Sequence, residues 1–230
     1  MRHALASATL AAALLSCGSA LAEPWLTPPT NPMPPIVISL SVAQNVPAST
    51  VKAMLKEADE IWKSADFRFI WQRDDAQVAP YPHSSDEGRY LSSTLRVTVD
   101  HSVGEKNTQS VTALGWILFE RPGEPDQELH VSYANAKLLL ELSSSTFGAL
   151  STMPLLQRET YLARAMGRAL AHELGHYLLA SKTHTARGLM QTQRSASVLF
   201  APSRGPFEID RVQKQAVMSR LTRATTLARR

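Results

Sequence analysis

The chain has 230 residues and one cysteine, Cys17. From residue 18 onward there is no thiol to close a disulfide, ligate a metal as thiolate or act as a nucleophile. The fold must therefore be held by its core, and any metal site must use His, Asp or Glu. Long apolar runs are also missing, since no stretch after residue 22 approaches the roughly 20 apolar residues that a membrane helix needs. Acidic residues are absent between Glu173 and Glu208, which removes carboxylates from a whole segment of candidate ligands.

What is present begins with residues 1–22, MRHALASATLAAALLSCGSALA. Arg2 and His3, a short apolar run from Ala8 to Leu15 and the small-residue ending Ala20-Leu21-Ala22 have the layout of a secretory signal peptide cut after Ala22. A secreted or periplasmic protein is expected on that ground. Leu14-Leu15-Ser16-Cys17 also loosely resembles a bacterial lipoprotein cleavage site, which leaves a lipid anchor at Cys17 open. Residues 23–35, EPWLTPPTNPMPP, hold six prolines and read as an extended leader, because proline suits neither a helix interior nor a central strand. Residues 36–230 are of a length that suits a single domain with a sizeable core, expected to act as a monomer.

Charge is unevenly spread. Residues 23–184 carry 14 Lys/Arg against 18 Asp/Glu, and residues 185–230 carry 9 against 2. The basic positions Arg211, Lys214, Arg220 and Arg223 are spaced along a helix-like segment and have no interleaved aromatic residues. They read as a solvated helix face, and no nucleic-acid partner is expected.

Periodicity gives the element order. Ile36–Val42, Phe67–Gln72, Thr94–Asp100, Ala113–Phe119 and Glu128–Tyr133 read as strands, the last two joined by the turn-prone RPGEPD. Helices are expected from Pro47 to Ser64, from Ala134 to Leu142, from Leu155 to about Ala180, and from Glu208 to Leu221. In the long third helix Leu162, Ala165, Met166, Ala169 and Leu170 form the inward stripe, and His172 and His176 continue it.

The stretch HELGHYLLASKTH, residues 172–184, concentrates the chemistry. At helical spacing, positions i and i+4 lie one above the other, so His172 and His176 can aim imidazole nitrogens at one point. Glu173 leans over the same point from the side. This is the HExxH arrangement, two zinc ligands and a carboxylate placed to take a proton from zinc-activated water. Two imidazoles and a carboxylate turned inward cost several kcal/mol unless paired or metal-bound, which favours Zn2+. Catalytic zinc keeps three protein ligands and one open position. With no acid before Glu208, His184 is the natural third ligand, and Glu208 and Asp210 are the next candidates. His83, His101 and His130 lack ligand spacing and read as ordinary surface or strand residues, Tyr177 reads as packing, and Trp116 is a candidate cleft residue.

With Gly188-Leu189-Met190 following His184, the segment resembles the metzincin zinc endopeptidases, and within them matrixin-like catalytic domains. The resemblance implies that His172, His176 and His184 are the zinc ligands, Glu173 the general base and Met190 the methionine of the turn beneath the metal. It implies an α+β, zincin-like fold: a five-stranded mixed sheet, a long active-site helix, a Met-turn and a C-terminal helix. Ala113–Phe119 would be the edge strand that pairs with an extended peptide substrate. The chain departs from the family pattern in one respect. The family's turn glycine falls at Leu179 and its third histidine at Lys182, so a turn two residues longer must present His184. The function expected is hydrolysis of peptide bonds by a zinc-dependent endopeptidase; the alternative is a zincin-like binding protein without turnover.

Overall fold

A computed structural model of the protein describes residues 33–74, 91–103 and 113–228. The expected signal peptide, most of the proline-rich leader and His83 lie outside these residues.

Alternating β-branched residues build β1, Ile36–Val42, in which Ile36, Ile38 and Leu40 are buried. Pro47 sets an extended entry to α1, Ala48–Lys63, whose stripe of Val51, Met54, Ala58, Ile61 and Trp62 is buried. Four further strands follow: β2 (Phe69–Arg73), β3 (Leu91–Asp100), β4 (Gly115–Arg121) and β5 (Glu124–Ser132). They form one sheet in the order β2-β1-β3-β5-β4. The β1–β2, β1–β3 and β3–β5 pairs are parallel and β4–β5 is antiparallel, so the fold is α+β with a five-stranded mixed sheet, as the resemblance implies. The antiparallel strand β4 is an edge.

After β5, Ser132 caps α2 (Tyr133–Leu142) by accepting from the Asn135 amide at 3.0 Å. Asn135 in turn donates to the Ala113 carbonyl at 2.7 Å and ties down the start of β4. A single turn, α3 (Ser144–Phe147), leads to the 25-residue α4, Leu155–Leu179. Leu162, Met166, Leu170 and Leu174 of α4 join Leu95, Val97 and Val99 of β3 and Leu129 and Val131 of β5 in the core. Helices α1 and α4 meet at Gly167, where an added Cβ would lie 2.6 Å from both the Met54 carbonyl oxygen and the Glu57 Cβ. The Trp62 indole also donates to the Ala171 carbonyl at 3.1 Å, locking the two helices in register.

Two boundaries differ from the expectations for physical reasons. The β4–β5 turn is only Pro122-Gly123, with Gly123 at φ +82°, and the residues read as a long turn are strand. Pro125 is tolerated there because β3 pairs with β5 only from Glu128 onward, leaving that arm of the hairpin beyond the sheet interior. The last helix, α6, is Arg211–Ala228, later than expected at its start. Its entry is a reciprocal cap, in which the Gln213 amide donates to the Asp210 carboxylate at 2.8 Å and the Asp210 amide to the Gln213 side chain at 3.2 Å. A short helix, α5 (Ala196–Phe200), and a 3-10 turn, Gly205–Phe207, fill the segment before it.

Arg168 of α4 is 1% exposed, and its five N–H donors all have acceptors. Nε donates to Glu57 at 2.9 Å, Nη1 to the carbonyls of Val198 and Leu199 at 2.6 and 3.1 Å, and Nη2 to those of Ala201 and Ser203 at 2.8 and 2.9 Å. Arg204 takes the other Glu57 oxygen at 2.7 Å. Arg168→Met strands one oxygen of the buried Glu57 carboxylate and four carbonyls, so a loss of about 3–5 kcal/mol in chemical denaturation is expected; a loss under about 1 kcal/mol would show that the clamp does not hold the fold.

Asp59 of α1 accepts from the Trp71 indole at 3.1 Å, and burial pushes its carboxyl up to about 6, with Glu60 adding repulsion. A carboxyl raised in the folded state costs nothing below about pH 4 and costs most above pH 6. Asp59→Asn keeps the acceptor for Trp71 and removes that cost. It is expected to raise stability by on the order of 1 kcal/mol at pH 7 and to change nothing at pH 3.5, which paired thermal melts at the two pH values would show.

Candidate active site

The end of α4 carries His172, Glu173 and His176 on its last two turns. The Nδ1 of His172 lies 2.8 Å from the Leu189 carbonyl, and the Nδ1 of His176 lies 2.6 Å from the Ser181 carbonyl. A carbonyl only accepts, so each Nδ1 must carry the proton, and each Nε2 is left with a bare lone pair. Those two Nε2 atoms are 3.1 Å apart. Burial pushes His172 down to about 4 and also lowers His176, so both rings are neutral near pH 7. Two neutral acceptors cannot hydrogen-bond each other, and their convergence calls for a cation between them.

His184 completes the cluster. One nitrogen from each of His172, His176 and His184 lies within 4.8 Å of the others, the only such group of three among the described residues. The His184 ring stacks on that of His172, with centroids 5.3 Å apart and planes 15° apart. Nitrogens about 2.0–2.1 Å from a tetrahedral zinc sit roughly 3.3 Å from one another, so the His172–His176 separation fits a zinc ion, and an all-imidazole set without thiolate suits it. Glu208 and Asp210, the reserve candidates, are not part of this cluster: the Glu208 side chain is exposed, and the Asp210 carboxylate caps α6.

The longer turn that brings His184 into place has a definite construction. Helix α4 stops because Ala180 adopts a left-handed conformation, φ 50° and ψ 44°, at a cost of roughly 1–2 kcal/mol for a residue with a Cβ. The Ser181 amide then bonds back to the His176 carbonyl at 3.2 Å, which places the Ser181 carbonyl against the His176 ring. From there the chain runs through the exposed His184 to Gly188, whose φ is +77° and whose added Cβ would meet the Glu208 carbonyl oxygen at 2.8 Å. Leu189 and Met190 follow, both 1% exposed. Met190 lies directly against α4 at Gly175, where an added Cβ would meet its sulfur at 2.3 Å.

Glu173 faces the edge strand. A hydrogen bond with the Ile117 backbone pulls its carboxyl down, yet burial dominates and pushes it up to about 8. Gly115 makes room for it, since a Cβ there would stand 3.1 Å from the Glu173 Cγ. Trp116, Phe119 and Lys182 line one part of the surrounding cleft of about 680 Å³, and Arg194, Leu199 and Phe207 another. Trp116 stacks on His130 at 5.1 Å, His101 packs edge-on against Tyr133, and Tyr177 turns away to share a hydrogen bond with Ser93. The wall formed by residues 191–207 was not legible in the sequence, which has neither periodicity nor a motif there.

No family model matches the chain, and a search of curated proteins finds no match. Among solved structures, the chain is similar to the crystal structure of archaemetzincin from Methanopyrus kandleri, at 16% identity and a TM-score of 0.45, over 86% of this chain and 99% of that one. The chemistry therefore rests on the residues themselves.

Gly175→Ala must displace the Met190 side chain from the face of α4. A loss of about 1–3 kcal/mol is expected in a thermal melt, and an unchanged melting temperature would mean that Met190 moves aside without cost.

Proposed function

We propose that the chain is an exported zinc-dependent endopeptidase. The observation that carries this reading is the forced tautomer of His172 and His176, whose two bare Nε2 atoms converge beside His184 with Glu173 next to them. His172, His176 and His184 would hold the zinc. When bound, zinc would supply a Lewis acid that polarises the scissile carbonyl and lowers the pKa of water. Glu173 takes the proton from the attacking water and returns it to the leaving amine. Burial raises the Glu173 carboxyl, and the charge of a zinc ion held by the three histidines would pull it back down towards the ionised form that can accept a proton.

The substrate is an extended peptide. It adds to the outer edge of β4, which pairs only with β5 among the described residues, and backbone hydrogen bonds along that edge favour cleavage within a chain. Residues 36–230 act as one catalytic domain behind the signal peptide 1–22 and the leader 23–35, in a secreted or periplasmic setting, as a monomer, with lipidation at Cys17 an open alternative. No helix among the described residues is long and apolar enough to cross a membrane.

Metal content and peptide hydrolysis test the reading together. After dialysis against a weak chelator, the parent is expected to retain a single zinc and His184→Ala to lose it. Glu173→Ala is expected to keep zinc and to lose about 10²–10⁴-fold of hydrolysis. Hydrolysis should stop with a chelator and return with zinc. Zinc retained without hydrolysis of any peptide would replace the peptidase with a zincin-like binding protein.

A further inference from the structure

Arg194 stands in the wall of the cleft, beyond the Met-turn. Its guanidinium lies 4.2 Å over the Phe207 ring, and its Nη2 donates to the carbonyls of Gly188 and Pro206, the latter at 2.8 Å. These contacts fix the side chain but use only one of its three nitrogens. Nε and Nη1 make no hydrogen bond to the described residues, and no carboxylate among them lies within ion-pair distance. The carboxylate of Glu208 does not reach it, although the backbone of Glu208 runs alongside the turn.

The surrounding charge is unbalanced in the same direction. Arg168 and Arg204 share the single carboxylate of Glu57. Arg164, bonded to the Phe200 carbonyl, and Arg194 add two further guanidiniums with no ion pair to an acid among the described residues. Desolvation already opposes the charge on Arg194, which lines the same cleft as His172. A half-buried guanidinium that is held rigid, lacks a counter-ion and lines a cleft is prepared to receive an anion from outside.

We propose that Arg194 is a specificity-determining residue that binds a carboxylate of the peptide substrate, carried by an aspartate or glutamate side chain or by the substrate's C-terminus. The proposal rests on the peptidase reading above and names the substrate class for that site. The carboxylate enters past Leu199 and Phe207 and meets Nε or Nη1, while the adjoining backbone reaches the histidine cluster. A side-chain carboxylate selects acidic peptides for internal cleavage. A terminal carboxylate sets the cut at a fixed distance from the chain end.

The test is binding to the zinc-loaded Glu173→Gln variant of the full mature chain, which cannot turn substrate over. The probes are Ala/Leu octapeptides with a single glutamate moved through each position, each measured by fluorescence anisotropy against its glutamine isostere with both ends capped. A second set compares free-acid with amidated C-termini. About tenfold tighter binding of glutamate at one position identifies a side-chain carboxylate, and the same preference for the free acid identifies the terminus. In either case the preference should shrink with added salt and vanish in Arg194→Gln. Because each comparison is made on one protein, it stands even if Arg194→Gln folds poorly. Equal binding within both sets, or a preference that survives Arg194→Gln, overturns the proposal. Carboxylate preference in a protein whose parent form cleaves none of these peptides would instead sink the peptidase reading and leave Arg194 as a carboxylate site.

Discussion

The buried guanidinium of Arg168 is the contact on which the rest of the site depends. It sits one helical turn before His172 and matches five donors to five acceptors, so a charge that would be costly in the core becomes a fully satisfied junction. Through Glu57 it fastens α4 to α1, and through four carbonyls it fastens residues 198–203 to α4. The cleft wall is thus hung from the same helix that carries the histidines. Arg204 closes the arrangement from the solvent side by taking the second oxygen of Glu57.

The histidines are oriented by a different device, the use of main-chain carbonyls from residues that follow them. Leu189 fixes one ring and Ser181 the other. Both carbonyls are delivered by irregular backbone, the left-handed end of α4 at Ala180 and the glycine turn at Gly188. The regular helix sets the spacing of the nitrogens, and the irregular segments set their direction. Met190, wedged against Gly175, keeps these two parts from sliding past one another.

The features legible in the sequence were those with a period. Strand β1, helices α1 and α4 and the pairing of His172 with His176 follow from alternation and from 3.6-residue spacing, and the lack of acids before Glu208 pointed to His184. Features that depend on distant partners left no such mark. An arginine on the inward stripe of α4 reads as an interruption until the carbonyls of residues 198–203 are in place around it. At the tail of the β4–β5 hairpin proline, glycine and acids signal a turn wherever they fall, whereas only Pro122-Gly123 makes one here. Glu208 and Ile209 fit the helical pattern of α6, while the reciprocal Asp210–Gln213 cap fixes its start after them.

The Arg168 clamp also bears on how this protein can vary over generations. Four of its five acceptors are main-chain oxygens, and an oxygen of the peptide group is supplied by any amino acid. The identities of the side chains at positions 198, 199, 201 and 203 are therefore not what the clamp reads; it reads the path of the chain. A lineage could exchange those side chains, among them Leu199 in one wall of the cleft, while the path and the helix beneath it stayed in place. The fold separates a fixed frame from a replaceable lining, and the boundary between them runs along one guanidinium.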